Sequence, residues 1–330
     1  MNIIMYGVHG SELDAIKDFE KKNNVQITMI NEIFTKDTMN KVIGHDLLCI
    51  QQSQKVDDEA IYSFLKDNNI KQIALRTAGF DMIDLDLANK YNISITNVPA
   101  YSPNAIAEMA LSHIMYLNRE FYLTIPKVDN NNFTWNAKPA KEIRKQTIGI
   151  VGVGRIGYVL AKLLNGIGAK VIGYDINIEE HKKDILEYKD SLNDLLKESD
   201  IVSLHLPLDE STHNLINKDT LSLMKEDALL INTSRGPVVN SVALIEALEN
   251  NVIKAAGLDT IDCEIGYFQN DYSNKEIENN ELNKLLSMNN VLITPHIAFY
   301  SNEALKNMVD ISLESALDIY HNNTSKNIVT

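Results

Sequence analysis

The stretch TIGIVGVGRIG, residues 147–157, decides the architecture. Its first five residues, TIGIV, read as a buried strand, and it closes on glycines at Gly152, Gly154 and Gly157. Directly behind it, YVLAKLLNGIG (158–168) has the apolar spacing of a helix. Glycines at this spacing between a strand and a helix have three physical uses. The first allows a tight turn, the second lets a pyrophosphate approach the backbone, and the third lets the helix pack close to the strand. Free N–H groups at the helix N-terminus then meet the phosphate charge. The next apolar run, AKVIGYD, ends at Asp175, eighteen residues beyond Gly157, where an acid would accept from a ribose hydroxyl. A carboxylate there repels a 2′-phosphate, and Ile176 and Asn177 supply no compensating arginine. The cofactor that fits is NAD.

Working outward, 146 residues precede this turn. Within the first hundred, the runs NIIMYG, VQITMI, DLLCI, KQIALRT and ISITNV read as buried strands. Amphipathic stretches such as SELDAIKDFEKKN and DDEAIYSFLKDN lie between them, a βαβα rhythm that means a parallel sheet covered on both faces. A long helical pattern follows over 104–124, with Pro103 near its first turn. Six further strand candidates come next: TIGIVG, KVIGYD, DIVSLHL, ALLINTS, IKAAGLD and VLITPH. The stretch 269–284 reads as a solvated loop with a short helix, and SNEALKNMVDISLESALDIYH as a terminal helix without a strand, free to return to the first domain. The expected fold class is α/β, with two doubly wound parallel-sheet domains.

At 330 residues the chain is long for one core and comfortable for two. A hydrophobic fraction of 45% and a charged fraction of 23% are ordinary for a globular protein. The net charge of −14 argues against nucleic acid as a partner. Cys49 and Cys263 have no disulfide framework or metal-ligand spacing around them, so no metal is expected and a reducing compartment is. The start MNIIMYGVHG lacks the form of a signal peptide, and no apolar run reaches the length of a membrane span. Those readings lead to a soluble, cytoplasmic protein. Neither a GxSxG elbow nor an HExxH helix is present to support a serine hydrolase or a zinc protease.

In an open α/β sheet, ligands bind beyond the carboxyl ends of the strands. Arg235 follows ALLINTS, Asp259 and then Glu264 follow IKAAGL, and His296 follows VLITP. This set suits hydride transfer to a ketone. An arginine can hold a carboxylate through two parallel hydrogen bonds, and a histidinium can give its proton to the carbonyl oxygen. A carboxylate beside that histidine fixes its tautomer. His205, at the end of SLHLPL, reads equally well as a wall of the cofactor site or as structural. His9, His45, His113, His181, His213 and His321 have no partner that the sequence identifies, and Cys263 reads as an incidental thiol.

These residues resemble the D-isomer-specific 2-hydroxyacid dehydrogenases, nearly end to end. The markers are RTAGFDMID (76–84), NVPAYSPNAIAE (97–108), GVGRIG (152–157), INTSRG (231–236), GLDTIDCE (257–264) and TPHIAFYS (294–301). The AFY after His296 and the AYSPNAIAE stretch point to the branch that acts on lactate and branched-chain hydroxyacids. Met109 and Ile261 depart from the family pattern, where a smaller or polar residue and an aromatic are usual. Neither departure removes a catalytic group.

The resemblance implies a Rossmann NAD-binding domain, 102–298, inserted into a discontinuous flavodoxin-like substrate domain made of 1–101 plus 299–330, with the active site in the cleft. It implies His296 as acid/base, Glu264 as its partner, and Arg235 on the substrate carboxylate, joined there by the backbone of Ala78 and Gly79. Tyr101 would line the substrate pocket, with Phe299 near the side-chain end. For NAD it implies Arg155 and Ile156 at the pyrophosphate, Asp175 at the ribose, and Leu206 and Pro207 toward the adenine. Thr233, Ser234 and Arg235 would line the nicotinamide end, and Asp259 would meet the carboxamide. The implied reaction is reversible reduction of pyruvate to D-lactate by NADH. Two alternatives are an enzyme preferring larger ketoacids such as 2-ketoisocaproate and a non-catalytic NAD sensor. Family members are commonly homodimers, and the helix over 104–124 would take part in that contact.

Overall fold

Two parallel sheets carry the two series of apolar runs in a computed structural model that describes residues 1–52, 54–135 and 138–330. They belong to two units, residues 1–102 with 300–330, and residues 103–299. In the first unit the strands are β1 (Asn2–Tyr6), β2 (Gln26–Ile30), β3 (Leu47–Ile50), β4 (Gln72–Leu75) and β5 (Ser94–Thr96). Their order is β2-β1-β3-β4-β5, with Ile3 opposite Leu47 and Met5 opposite Cys49. This is a doubly wound sheet whose order reverses between β1 and β3.

Alternate residues of these strands feed two separate cores, which is why the runs are apolar at nearly every position. Ile3, Met5, Leu47 and Cys49 pack with Ile16 and Phe19 of α1 (Leu13–Asn23) and with Val309, Leu313 and Ala316 of the last helix, Asn302–Asn322. On the other face, Ile4, Tyr6, Leu48 and Ile73 meet Ile61, Tyr62 and Leu65 of α2 (Glu59–Asp67) and Ala88 of α3 (Leu85–Tyr91). The strandless terminal helix therefore completes the first sheet's cover. Beyond it the chain adds an antiparallel bridge between Ile328 and Thr96.

The second unit begins with α4 (Pro103–Asn118) and α5 (Phe121–Asp129). The single helix expected over 104–124 is thus two. Glu120 takes a left-handed conformation at φ 52° and its carboxylate lies 2.6 Å from Lys254, which ends the first helix and starts the second. Asn118 turns inward, donating to the Lys141 carbonyl and accepting from Gln146.

The sheet of this unit contains β6 (Thr147–Val151), β7 (Lys170–Tyr174), β8 (Glu187–Tyr188), β9 (Ile201–Leu204), β10 (Leu229–Asn232), β11 (Ala255–Leu258) and β12 (Val291–Ile293). The order is β12-β11-β10-β9-β6-β7-β8, all parallel. Six strands were expected; the seventh, β8, has two residues and no periodicity to betray it. Its sheet too is buried on both faces, one by α4 and α6 (Arg155–Gly166), the other by the helices after β9 and β10. Among the described residues, no helix is long and apolar enough to cross a membrane.

Candidate active site

The order of the second sheet reverses between β6 and β9, so the loops leaving those two strands splay apart there. The glycine turn leaves β6 at this place. Gly152 has φ +88°, and a Cβ on it would lie 2.4 Å from the carbonyl oxygen of His205. A side chain on Gly157 would come within 2.1 Å of the Gly152 carbonyl. Both positions are closed by the protein itself. Gly154 is different: it caps the twelve-residue α6, and nothing lies within 4 Å of where its Cβ would be. That open space at a helix N-terminus is the cradle a pyrophosphate requires.

Asp175 stands beside this cradle at the end of β7. One carboxylate oxygen accepts from the Val153 N–H at 2.7 Å, and the other from the Asn177 N–H at 2.8 Å. Lys182 closes the same corner from below, donating to the Val153 carbonyl at 2.6 Å. Arg155 is exposed and Ile156 half-buried on the first turn of α6. After β9, Leu206 abuts Gly152 and Pro207 is exposed. After β10, Thr233 is buried, yet its hydroxyl has no hydrogen-bond partner among the described residues. An unsatisfied buried hydroxyl on a cofactor-facing rim is what a bound polar group would relieve. The residues present therefore fit a dinucleotide. His205 Nε2 meets Ser203 Oγ at 2.9 Å, its Nδ1 is buried without a hydrogen-bond partner among the described residues, and burial pushes its pKa down to about 3, keeping the ring neutral.

The ionisable residues of the late strands converge through contacts of their loops. Ser234 is buried and donates to Asn232, which in turn donates to the carbonyl of Arg235 at 2.9 Å. The half-buried Arg235 guanidinium bonds the Ser234 carbonyl at 2.8 Å. Behind it, Gly236 packs so tightly on Ile261 that an added Cβ would lie 2.2 Å from that residue's backbone. Ile261 in turn donates its N–H to Glu264 Oε2 at 3.0 Å, and Glu264 Oε1 lies 2.6 Å from His296 Nδ1. One carboxylate is thus fixed by backbone on one oxygen and fixes an imidazole with the other. With Nδ1–H given to Glu264, Nε2 is the nitrogen left to exchange a proton.

His296 has a left-handed backbone, φ 56°, which costs a non-glycine residue roughly 1–2 kcal/mol. Asp259 holds the loop in that shape. It is fully buried, its carbonyl accepts from the His296 N–H at 2.9 Å, and its carboxylate accepts from Ile297, Ala298 and the Thr294 hydroxyl. His113, for which the sequence offered no partner, lies behind Thr294, 3.1 Å from its hydroxyl. The one hint in the sequence is Gly257, a glycine in a buried strand, where a side chain would meet the His113 ring at 3.0 Å. Cys263 is half-buried, and burial raises its thiol to about 11, which leaves it unreactive.

In the first unit, the loop after β4 is locked from three sides. Arg76 is completely buried, paired with the equally buried Glu12 at 3.0 Å, and donates to the carbonyls of Tyr6 and Gly7. The Thr77 hydroxyl bonds the Gly79 carbonyl at 2.7 Å, and Asn97 bonds the Ala78 carbonyl at 2.7 Å. With those carbonyls tied down, the N–H groups of Ala78 and Gly79 find no acceptor among the described residues. Tyr101 is half-buried, its carbonyl taken by Asn307 at 2.6 Å, while Phe299 is half-buried at the end of the second unit.

An oriented acid–base pair on the same sheet as a dinucleotide cradle is the equipment of an NAD-dependent dehydrogenase. Comparison with known proteins narrows that class. Residues 111–298 match the family model described as D-isomer specific 2-hydroxyacid dehydrogenase, NAD binding domain. A D-2-hydroxyacid dehydrogenase (NAD(+)) of Clostridioides difficile is 44% identical over the whole of both chains. A D-lactate dehydrogenase from Sporolactobacillus sp. is also 44% identical, with a TM-score of 0.87 over 100% of this chain and 99% of that one. The structure of D-lactate dehydrogenase with NAD+ from Lactobacillus jensenii is 39% identical with a TM-score of 0.89, each chain covered in full. The chain belongs to the D-isomer-specific 2-hydroxyacid dehydrogenase family, as its motifs led us to expect, and it is an NAD-dependent oxidoreductase.

Proposed function

We propose that the protein reduces pyruvate to D-lactate, reversibly, with NADH. The observation that carries this reading is the 2.6 Å contact between His296 Nδ1 and Glu264, which leaves Nε2 to serve the substrate oxygen. Similarity to D-lactate dehydrogenases along the full chain supports the choice of substrate. NADH, when bound, would supply a hydride to the carbonyl carbon. His296 gives its proton to the carbonyl oxygen as charge develops there, and Glu264 stabilises the imidazolium that precedes the transfer. In the reverse direction, the neutral imidazole takes the hydroxyl proton. Arg235 holds the substrate carboxylate with its planar fork, and the N–H groups of Ala78 and Gly79 serve the same carboxylate. Tyr101 and Phe299 line the place of the substrate's side chain. Gly152, Gly154, Arg155, Ile156 and Gly157 would hold the pyrophosphate, Asp175 the ribose, and Leu206 and Pro207 the adenine side. Thr233, Ser234 and Asp259 border the nicotinamide.

Substrate choice is tested by comparing kcat/KM for pyruvate and 2-ketoisocaproate in an NADH assay. We expect pyruvate to be preferred; preference for the branched acid would retain the chemistry and overturn the substrate. Discrimination by an apolar pocket amounts to about 10–200-fold per methylene, so measurable turnover of both is compatible with the reading. NADH bound without turnover of either acid would favour a sensor.

Asp175 sets the cofactor. Asp175→Asn keeps an acceptor for the Val153 N–H and removes the charge that repels a 2′-phosphate. The NADH:NADPH ratio of kcat/KM is expected to fall roughly tenfold or more, the worth of one charge-assisted hydrogen bond. An unchanged ratio would remove Asp175 from the ribose.

The same reading includes a homodimer and a cytoplasmic home, the latter in keeping with two free cysteines. Support for the dimer lies just past α4. Phe121, Leu123, Ile125 and Val128 are exposed on α5, and Phe133 and Trp135 follow with 74% and 95% of their surface open. Apolar surface of this kind is normally covered by a partner, and a second copy covers it symmetrically. Sedimentation of the parent at twice the chain mass, and of Ile125→Glu with Trp135→Glu at the chain mass, is expected. A parent that sediments as a monomer would exclude it.

A further inference from the structure

Thr294 donates its hydroxyl hydrogen to Asp259 Oδ1 at 2.5 Å, so its oxygen is left to accept. The group that reaches it is His113 Nε2, at 3.1 Å, from a side chain that is 1% exposed on α4. This order fixes the tautomer: Nε2 of His113 carries the hydrogen. Burial lowers the pKa of His113, against opposing pulls from the Asp259 charge and the Gly257 backbone, so the ring serves as a neutral donor. The line of bonds runs onward from Asp259. Its two carboxylate oxygens take the N–H groups of Ile297 and Ala298 at 3.0 and 2.8 Å, and its carbonyl takes that of His296 at 2.9 Å. Every residue from 296 to 298 is thus tied to Asp259, across the one place where a non-glycine backbone in this loop is left-handed.

A buried carboxylate needs donors on all sides, and removing one leaves the remainder free to rearrange. Here the Thr294 hydroxyl is the side-chain donor, beside the backbone N–H groups of Ile297 and Ala298, and it is itself met from outside the loop by His113. We infer that His113 and Thr294 are positioning residues for His296: the helix α4 holds the acid/base loop in its strained shape through a hydroxyl set between an imidazole and a buried carboxylate. Neither residue touches substrate or cofactor in this scheme; they act through Asp259 on the direction of the His296 ring. The inference rests on the reading of His296 as the acid/base given above. Gly257 belongs to the same device, since only its missing side chain lets His113 lie against β11.

Two pairs of variants separate the hydrogen bonds from the volume they occupy. Thr294→Val and His113→Leu remove the hydroxyl and the donor; Thr294→Ser and His113→Gln keep a hydroxyl and an N–H. We expect kcat with pyruvate to fall about tenfold or more in the first pair, with the NADH dissociation constant changed by less than about threefold. The second pair should return kcat to within about threefold of the parent. The titration of the His296 ring, followed by NMR in the full-length protein, should move by about half a pH unit in Thr294→Val and return in Thr294→Ser. Equal rates in Thr294→Val and the parent, with an unmoved titration, would overturn the inference and leave the proposed function standing. Equal loss in the Val and Ser variants would overturn it as well, by showing that only packing matters. A parent that reduces no 2-ketoacid would defeat the proposed function, while the His296 titration would still decide this inference.

Discussion

His296→Gln is expected to lower kcat for pyruvate reduction by about 10²–10⁴-fold, the usual contribution of a positioned proton donor. The dissociation constant of NADH should stay within a few fold of the parent's. Glutamine preserves an N–H toward Glu264 and most of the volume, but it cannot cede a proton to a developing alkoxide. The geometry makes the separation of the two effects sharp. His296 is held by Glu264 at 2.6 Å and by backbone bonds to Asp259, whereas the glycine cradle belongs to β6 and α6. Steady-state kinetics with NADH fluorescence titration reads both quantities on one preparation. Wild-type turnover in this variant would dismiss His296 as the acid/base.

Arg235→Lys should act on the other half of the reaction, on binding of the ketoacid. A guanidinium offers two parallel N–H groups in one plane, and an ammonium cannot. The loss of one charge-assisted hydrogen bond corresponds to about 1.5–3 kcal/mol, or roughly 10–150-fold in kcat/KM. Most of it should be in KM for pyruvate. The loop carrying Arg235 is well anchored, by Asn232 to its carbonyl and by Gly236 against Ile261, so lysine would be presented from the same backbone. Saturation kinetics with pyruvate checks this. An unchanged KM would move the carboxylate away from Arg235.

The parts of the fold that were legible in the sequence share one physical cause. Strands buried on both faces have no polar alternation, so runs such as NIIMYG and DLLCI announce themselves, and both sheets were readable in outline. The glycine turn was readable because Gly152 and Gly157 face close backbone contacts that no other residue tolerates. Membership of the family was likewise open to reading, since its motifs sit where strands end. Where an element was missed, the information is not local. The break at Glu120 depends on an ion pair with Lys254, and β8 is two residues whose only signature is its partner β7.

The same holds for side chains around the candidate site. His296 and Glu264 could be singled out because both follow late strands, though the left-handed backbone that presents His296 could not. His113 and Thr294 are 181 residues apart, and nothing near either in sequence marks the pair except a glycine in β11. Arg76 and Glu12 form a fully buried ion pair across 64 residues of sequence, one in the run KQIALRT and the other in SELDAIKDFEKKN. Removing either would strand a buried charge, at a cost of about 3–5 kcal/mol. Such pairs are set by the fold as a whole.

The most direct test of the account is the stereochemistry of the product. Purified protein is incubated with NADH and pyruvate, and the lactate formed is resolved on a chiral column. The account predicts stoichiometric oxidation of NADH with D-lactate as the sole product. Formation of L-lactate, or bound NADH that is never oxidised by any 2-ketoacid, would contradict it.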